Sequence, residues 1–254
     1  MNRLGTIFAC VAVSLFLVSG CGLTKSRIKS EREADAHHKL GIAYLNENNL
    51  QMAYMEFIKA VEYNPNEKTY HYALGHVYFN MNKFNDAIKS YSNALAIDPM
   101  YGDAHNALGA VYGKMELWDD AVSEYQKALD NPEYTTPQWA RFNLGIAYFK
   151  KDDYQSARTE FNEAVKIQPE VAVFHLWLGH TYMKMDMTKD AIAAYEEAKK
   201  RDKNNVDVYL NLGLAYFKDN NNAEALAAFK KVVATAPDSA AAAEAMKYIG
   251  MFNK

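Results

Sequence analysis

The chain contains few glycines and prolines and only two cysteines. Of its 254 residues, 12 are glycine and 6 are proline, which disfavours a turn-rich β fold and favours helices. Lysine and arginine total 28 against 31 aspartates and glutamates, so the basic surface that nucleic-acid binding requires is not expected. Half of the residues are hydrophobic, which is enough for a core. Composition therefore predicts a helical protein that does not bind nucleic acid.

The N-terminus has the pattern of a bacterial lipoprotein signal. Arg3 precedes an apolar run over residues 4–18, which is too short to span a membrane comfortably. The sequence VSGC follows at 18–21 and resembles a lipobox, in which a signal peptidase cleaves before a cysteine that is then lipidated. We expect residues 1–20 to be the signal peptide and Cys21 to carry the lipid. The alternative is an ordinary secretory signal followed by an incidental cysteine.

Cleavage before Cys21 determines what is expected of the mature chain. It removes Cys10, so no disulfide can form within the mature chain. Gly22, in place of an aspartate, resembles the sorting signal for the outer membrane, which implies a lipid anchor there with the protein facing the periplasm; the inner membrane is the alternative. Residues 21–33 lack apolar periodicity, and we expect them to be the lipidated cysteine and a tether.

One pattern recurs six times along the rest of the chain at a period near 34 residues. Each unit has Leu-Gly, a tyrosine three residues after the glycine, an alanine twelve after it and an aromatic residue four further on. The glycines are Gly41, Gly75, Gly109, Gly145, Gly179 and Gly213. Apolar residues spaced three, four and seven apart form the buried stripe of a helix. The glycine and alanine columns mark places where two helices approach closely.

This pattern resembles the tetratricopeptide repeat. The resemblance implies an all-α solenoid of six helix–turn–helix repeats, at 34–67, 68–101, 102–137, 138–171, 172–205 and 206–238, with a capping helix over 239–254. It also implies a protein-binding groove lined by the first helix of each repeat. The expected groove residues are Tyr72, Phe79, Asn106, Trp139, Phe142, Asn143, Phe149, Leu176, Leu210, Asn211 and Phe217. Superhelical twist could bury part of this set, and the three asparagines could bond a peptide backbone or their own helices.

Seven histidines raise the question of a metal site. Four of them share one column, four residues before the glycine: His37, His71, His105 and His175. Helices of neighbouring repeats pack about 8–10 Å apart, which is too far for two such imidazoles to share one zinc at about 2 Å. We therefore expect packing, and no metal or cofactor. The sequence contains no HExxH, glycine-rich phosphate loop or nucleophile elbow, so neither an enzyme nor a small-molecule substrate is expected.

The third interval between glycines is 36 residues instead of 34. The extra residues lie in DNPEYTTP at 130–137, where two prolines predict an extended, rigid elbow. The lipobox, the six repeats and the stretch NPEYTTPQWARFNLG at 131–145 resemble the type IV pilus biogenesis lipoproteins called pilotins. That resemblance implies an outer-membrane secretin subunit as partner. The alternatives are a periplasmic adaptor that recruits cell-wall hydrolases or proteases, and an assembly factor for other secreted polymers.

Overall fold

The structure, a computed structural model, describes residues 27–252. Every regular element in that range is a helix. The first, α1, spans residues 27–46. The others are α2 (Leu50–Tyr63), α3 (Lys68–Asn80), α4 (Phe84–Ile97), α5 (Gly102–Lys114), α6 (Trp118–Asp130), α7 (Pro137–Lys150), α8 (Tyr154–Ile167), α9 (Ala172–Lys184), α10 (Thr188–Arg201), α11 (Val206–Lys218), α12 (Asn222–Thr235) and α13 (Ala240–Phe252).

The helices form two compact units. Among the described residues, the first unit covers 27–111 and contains α1 to α4 and most of α5; the second covers 112–252 and contains the last residues of α5 and α6 to α13. Within the units, α3 packs on α4, α7 on α8, α9 on α10 and α11 on α12. These pairs are the helix–turn–helix repeats that the 34-residue period predicts.

The turn inside each repeat has one backbone geometry. A single residue in each turn has a positive φ of 57–61°: Asn48, Asn82, Glu116, Asp152, Asp186 and Asn220. In the first turn the amide of Asn48 donates to Leu45 O (3.0 Å), and the amide of Asn49 donates to Tyr44 O (2.8 Å). The same two bonds recur in the other five turns. This Schellman arrangement satisfies carbonyls that the end of the helix leaves free.

The glycine column meets the aromatic column inside five of the repeats. A Cβ built on Gly145 would lie 2.7 Å from Cε1 of Phe161, a distance that real Cβ atoms do not show. Gly41, Gly75, Gly179 and Gly213 face their own aromatic rings in the same way. Phe161 itself is fully buried. Glycine is therefore required here because the ring of the second helix occupies the space of a side chain.

The histidines of the shared column hydrogen-bond to the loops between repeats. The Nε2 atoms of His71 and His175 donate to the carbonyls of Pro65 and Pro169, six residues earlier, each at 2.8 Å. His105 reaches the corresponding carbonyl of Pro99 at 3.0 Å. Tyr209 occupies this column in the sixth repeat, and its hydroxyl donates to Lys203 O at 3.0 Å, again six residues earlier.

The histidine of the first repeat has a different partner, because the preceding segment is α1 itself. His37 Nδ1 lies 2.6 Å from a carboxylate oxygen of Glu56, and its ring stacks on Tyr63. Within residues 27–252, no three histidine, cysteine, aspartate or glutamate side chains group closely enough to hold a metal ion. The column thus has a structural role wherever the structure describes its contacts.

The first helix begins earlier than the sequence suggested. Residues 27–33, predicted as part of a tether, form the first turns of α1. Ser30 Oγ donates to Tyr63 O at 2.6 Å, and Ala34 is fully buried with Ala60 and Tyr70. These contacts, which apolar periodicity could not reveal, hold the helix. The signal peptide, Cys21 and the rest of the predicted tether lie outside the described residues.

At the other end, α13 packs against α12 and α11. The ring of Tyr248 stacks on Phe229 with centroids 4.9 Å apart and planes 11° apart. Ala242 and Ala245 are fully buried in the same cluster. No helix in the part of the chain that the structure describes is long and apolar enough to cross a bilayer.

Candidate protein-binding site

The first helices of the last three repeats, together with Tyr195 of α10, line an open cavity in the second unit. Helix α9 contacts α7 on one side and α11 on the other. The cavity between them has a volume of about 390 Å³, a size typical of a ligand pocket. Its lining residues are Phe149, Trp177, His180, Met183, Lys184, Tyr195, Asn211 and Leu214.

Trp177 lies at the centre of the aromatic contacts around this cavity. Its ring meets Phe149 edge to face at 5.4 Å and His180 at 5.6 Å. The expected groove residues did not include Trp177. The signal was present: Trp177 stands two residues before its glycine, in the same column as Asn143 and Asn211.

A neutral histidine contributes to the polar part of the cavity. Burial lowers the pKa of His180 to about 4, against a smaller opposing effect of the Asp207 carboxylate. Nδ1 of His180 lies 2.9 Å from the hydroxyl of Tyr195. Burial also raises the pKa of Tyr195, so the hydroxyl keeps its proton and donates it to the unprotonated Nδ1. Near neutral pH this pair is uncharged.

Asn211 is the amide side chain within the cavity wall. Its Nδ2 donates to the Asp207 carbonyl one turn earlier, at 2.7 Å. Of the two roles open to this residue, the bond within its own helix is therefore present. That bond uses one N–H and leaves the second N–H and the carbonyl oxygen, so Asn211 can still bond a peptide backbone. Asn143 and Asn106 are half-buried, and Asn106 belongs to the first unit.

The other expected groove residues of the second unit differ in exposure. Trp139 is 40% exposed, with its ring 5.1 Å from Phe174. Phe142 and Leu176 are buried, at 8% each, which corrects the expectation that they face a groove. Phe142 packs on Phe174 and Phe161, since successive repeats cover this position.

The last repeat directs its expected groove residues toward α13. Phe217 is 36% exposed, and its ring meets Tyr248 at 5.3 Å and Phe252 at 5.7 Å. Leu210 is half-buried against the cluster that contains Phe229. The capping helix therefore covers part of the surface that a seventh repeat would cover in a longer array.

In the first unit, Tyr72 and Phe79 each pack against other aromatic rings. The ring of Tyr72 lies 4.6 Å from His76 and 5.3 Å from Tyr101. Phe79 packs on Phe84 at 6.0 Å. Both residues are half-buried.

The segment at 130–137 is a folded turn, which corrects the expectation of an extended elbow. The Oδ1 of Asn131 accepts from the amide of Glu133 at 2.8 Å, and the amide of Tyr134 donates to Asn131 O at 3.1 Å. Tyr134 is 8% exposed and packs on Ala128 and Ala140. The two extra residues of this repeat thus make room for a ring between α6 and α7.

Known families match four segments of the chain. Residues 77–116 and 145–186 match the family described as TPR repeat. Residues 176–240 and 34–67 match two families described as tetratricopeptide repeat. The matches coincide with the repeated turns and glycine contacts described above. The chain is a tetratricopeptide repeat protein.

Solved structures share the fold of this tetratricopeptide repeat protein. PilW, a widely conserved type IV pilus biogenesis factor, is 20% identical with a TM-score of 0.78, over 84% of this chain and 98% of that one. Pseudomonas aeruginosa pilF is 19% identical with a TM-score of 0.77, over 89% and 100%. YrrB, a repeat protein with an unusual peptide-binding site, is 22% identical with a TM-score of 0.63, over 75% and 97%. No curated protein matches the sequence.

Proposed function

We propose that this protein is a lipid-anchored scaffold that assists type IV pilus biogenesis by binding, targeting or stabilising the outer-membrane secretin. Tetratricopeptide repeats bind protein partners, and their fold is typically a non-catalytic interaction scaffold. Lipid on Cys21 would hold the scaffold at the outer membrane, facing the periplasm. The lipid supplies the location, and the repeats supply the contact with the secretin.

The observation that carries the proposal is the cavity of the second unit. Helix α7, which contributes to its wall, directly follows the turn at 130–137. Aromatic side chains in a concave surface are the usual anchors of protein binding. Phe149 and Trp177 line the cavity, and Trp139 remains 40% exposed in the first turn of α7. The likeness to PilW and pilF, which extends over nearly the whole of both chains, supports the pilus assignment.

Deletion of the gene followed by complementation tests this function. The deletion strain should lose heat-stable secretin multimers and surface pili, and the wild-type gene should restore both. Immunoblots of unheated envelope samples measure the multimers, and electron microscopy measures the pili. A Trp139→Ala variant that is stable and membrane-bound should restore fewer multimers than wild type, because an exposed anchor is missing.

Normal multimers and pili in the deletion strain would contradict the proposal. The same strain then serves to test the adaptor function, since altered cell-wall hydrolysis with intact pili would favour recruitment of hydrolases or proteases. A crosslinked pull-down from detergent-solubilised envelopes would distinguish the two through the identity of the bound protein.

A further inference from the structure

The helices around the cavity are positively charged, although the whole chain has a formal charge of −3. Helices α7 and α9 contain no aspartate or glutamate, and α11 contains one aspartate. Four basic residues lie on the three helices: Arg141, Lys150, Lys184 and Lys218. The acidic residues of the second unit are instead concentrated on the second helices and in the turns. The face formed by these three helices thus carries four basic side chains and one acidic side chain, Asp207.

Three of these basic residues form one column. Lys150, Lys184 and Lys218 each stand five residues after the repeat glycine, at the end of α7, α9 and α11. Helices in contact have axes about 8–10 Å apart, so we expect the backbones of consecutive lysines in this column to be separated by about that distance. Lys184 itself lines the cavity.

Two lysines of the column lack an acidic partner. Lys218 bonds Asp186 at 2.6 Å, and Arg141 on α7 bonds a carboxylate of α8 at 2.9 Å. Lys150 and Lys184 are exposed and form no ion pair with any residue from 27 to 252. A lysine at a helix C-terminus also stabilises the helix dipole. That role explains the position of the column, and it leaves the ammonium groups of Lys150 and Lys184 without an ion-pair partner among residues 27–252.

We propose that this face binds an acidic, apolar segment of the partner in extended conformation. A bulky apolar side chain of the segment occupies the cavity against Trp177, Met183 and Leu214, and its carboxylates face Lys150 and Lys184. An extended chain advances about 3.3 Å per residue, so carboxylates three residues apart match the spacing of the column. Asn211 can bond the backbone of such a segment. The inference rests on the proposed function, because it specifies which part of a partner the scaffold takes.

Selection from a random displayed library tests this chemistry without knowledge of the partner. Displayed dodecapeptides are selected on the detergent-solubilised full chain and sequenced. The selected peptides should be enriched in aspartate or glutamate three residues apart, next to phenylalanine, leucine or tryptophan, and depleted in lysine and arginine. Selection of peptides with no acidic enrichment, or of none above background, would overturn the inference.

Charge reversal makes the test sharper. Selection on Lys150→Glu combined with Lys184→Glu should enrich lysine and arginine in place of the acidic residues. For the best acidic peptide, Lys150→Gln combined with Lys184→Gln should raise Kd about five- to tenfold, as expected for the loss of two solvent-exposed ion pairs. Added salt should weaken wild-type binding and affect this variant less.

The matched control removes two lysines elsewhere. Lys189→Gln combined with Lys230→Gln gives the same net charge, and both residues are exposed on second helices. This control should bind the acidic peptide as wild type does. If the Lys150 and Lys184 changes lower the melting temperature but leave Kd unchanged, the column serves only the helix dipoles and the inference is wrong.

The outcomes also separate this inference from the proposed function. Acidic peptides selected through the lysine column, together with normal secretin multimers in the deletion strain, would retain the binding chemistry and reject the pilus role. Loss of multimers in the deletion strain, with no acidic preference in the selection, would retain the pilus role and reject this face as an acidic-peptide site.

Discussion

At the scale of single residues, the glycine column gives the simplest prediction. Gly145→Ala places a Cβ 2.7 Å from the buried Phe161 ring, so the repeat must move apart. We expect a net loss of about 1–2 kcal/mol, because overpacking costs about 1–3 kcal/mol and the better helix propensity of alanine offsets part of it. Urea unfolding with an unchanged m-value measures the loss.

Gly250→Ala is the matched control, since nothing lies within 4 Å of a Cβ at this position in α13. It should be neutral or stabilise the protein by up to about 1 kcal/mol. Equal destabilisation by both changes would contradict the view that only the repeat glycine is sterically required.

The turn of the third repeat contains a strained residue. Glu116 has φ 60°, a conformation that costs most L-residues about 1–2 kcal/mol and glycine almost nothing. Glu116→Gly should therefore raise the free energy of unfolding by about 0.5–1 kcal/mol, after the greater flexibility of glycine in the unfolded chain is subtracted. Thermal unfolding of this variant beside Glu116→Val should show opposite shifts. A lower melting temperature for the glycine variant would contradict the strain.

The buried imidazole of His180 predicts a pH dependence. Its pKa is about 4 in the folded protein and about 6.5 in an unfolded chain. Between these values the unfolded chain takes up a proton and the folded chain does not, so the free energy of unfolding falls as the pH falls. The slope from this residue is up to about 1.4 kcal/mol per pH unit. Guanidinium unfolding at several pH values from 7.5 to 4.5 measures it.

His180→Leu, which introduces the residue of the same column in the last repeat, should flatten this dependence. The loss of the bond from Tyr195 lowers stability at every pH and leaves the slope unaffected. The other histidines remain in both proteins, so only the difference between the two curves reports on His180. Parallel curves would show that this imidazole does not stay neutral.

At the scale of the helix, α7 carries one exposed aromatic side chain and one buried aromatic side chain. Trp139 is 40% exposed, whereas Phe142 is 8% exposed and contacts Phe174 and Phe161. Phe142→Ala should lose about 3–5 kcal/mol of stability, as buried aromatic truncations do. Trp139→Ala should cost less stability but about 2 kcal/mol or more of partner binding if this ring is an anchor. Calorimetric unfolding measures the stability of both variants, and titration with the partner measures their binding. If Trp139→Ala loses the stability and Phe142→Ala loses the binding, the two roles are reversed.

Sequence patterns predicted the positions of the helices well, but they predicted less well which side chains are exposed. The glycine, alanine and aromatic columns specify contacts inside one repeat, and these contacts depend only on residues within about 20 positions. The exposure of Phe142 or Leu176 depends on the helices of the next repeat, which a column does not describe. The burial of the Tyr134 ring between α6 and α7 likewise depends on how two repeats pack, which a column does not describe.

At the scale of the whole molecule, the predicted lipid on Cys21 can be tested directly. Cys21→Ser should abolish metabolic labelling with palmitate and release the protein from the membrane fraction. The repeats should remain folded, because the described core begins at Ala34 and contains no cysteine. Helical circular dichroism of the released protein is the control. A wild-type protein that takes up no label would contradict the lipoprotein signal.

The packing of the repeats has a consequence for the speed of folding. Every packed helix pair that the structure describes joins helices one or two apart along the chain. Proteins built from such local contacts fold in about microseconds to milliseconds, because no distant segment has to be brought in first. When a chain emerges N-terminus first, each helical hairpin can therefore form as soon as the roughly 34 residues of its own repeat have emerged. Apolar stripes that would aggregate in a long unfolded chain stay exposed only briefly.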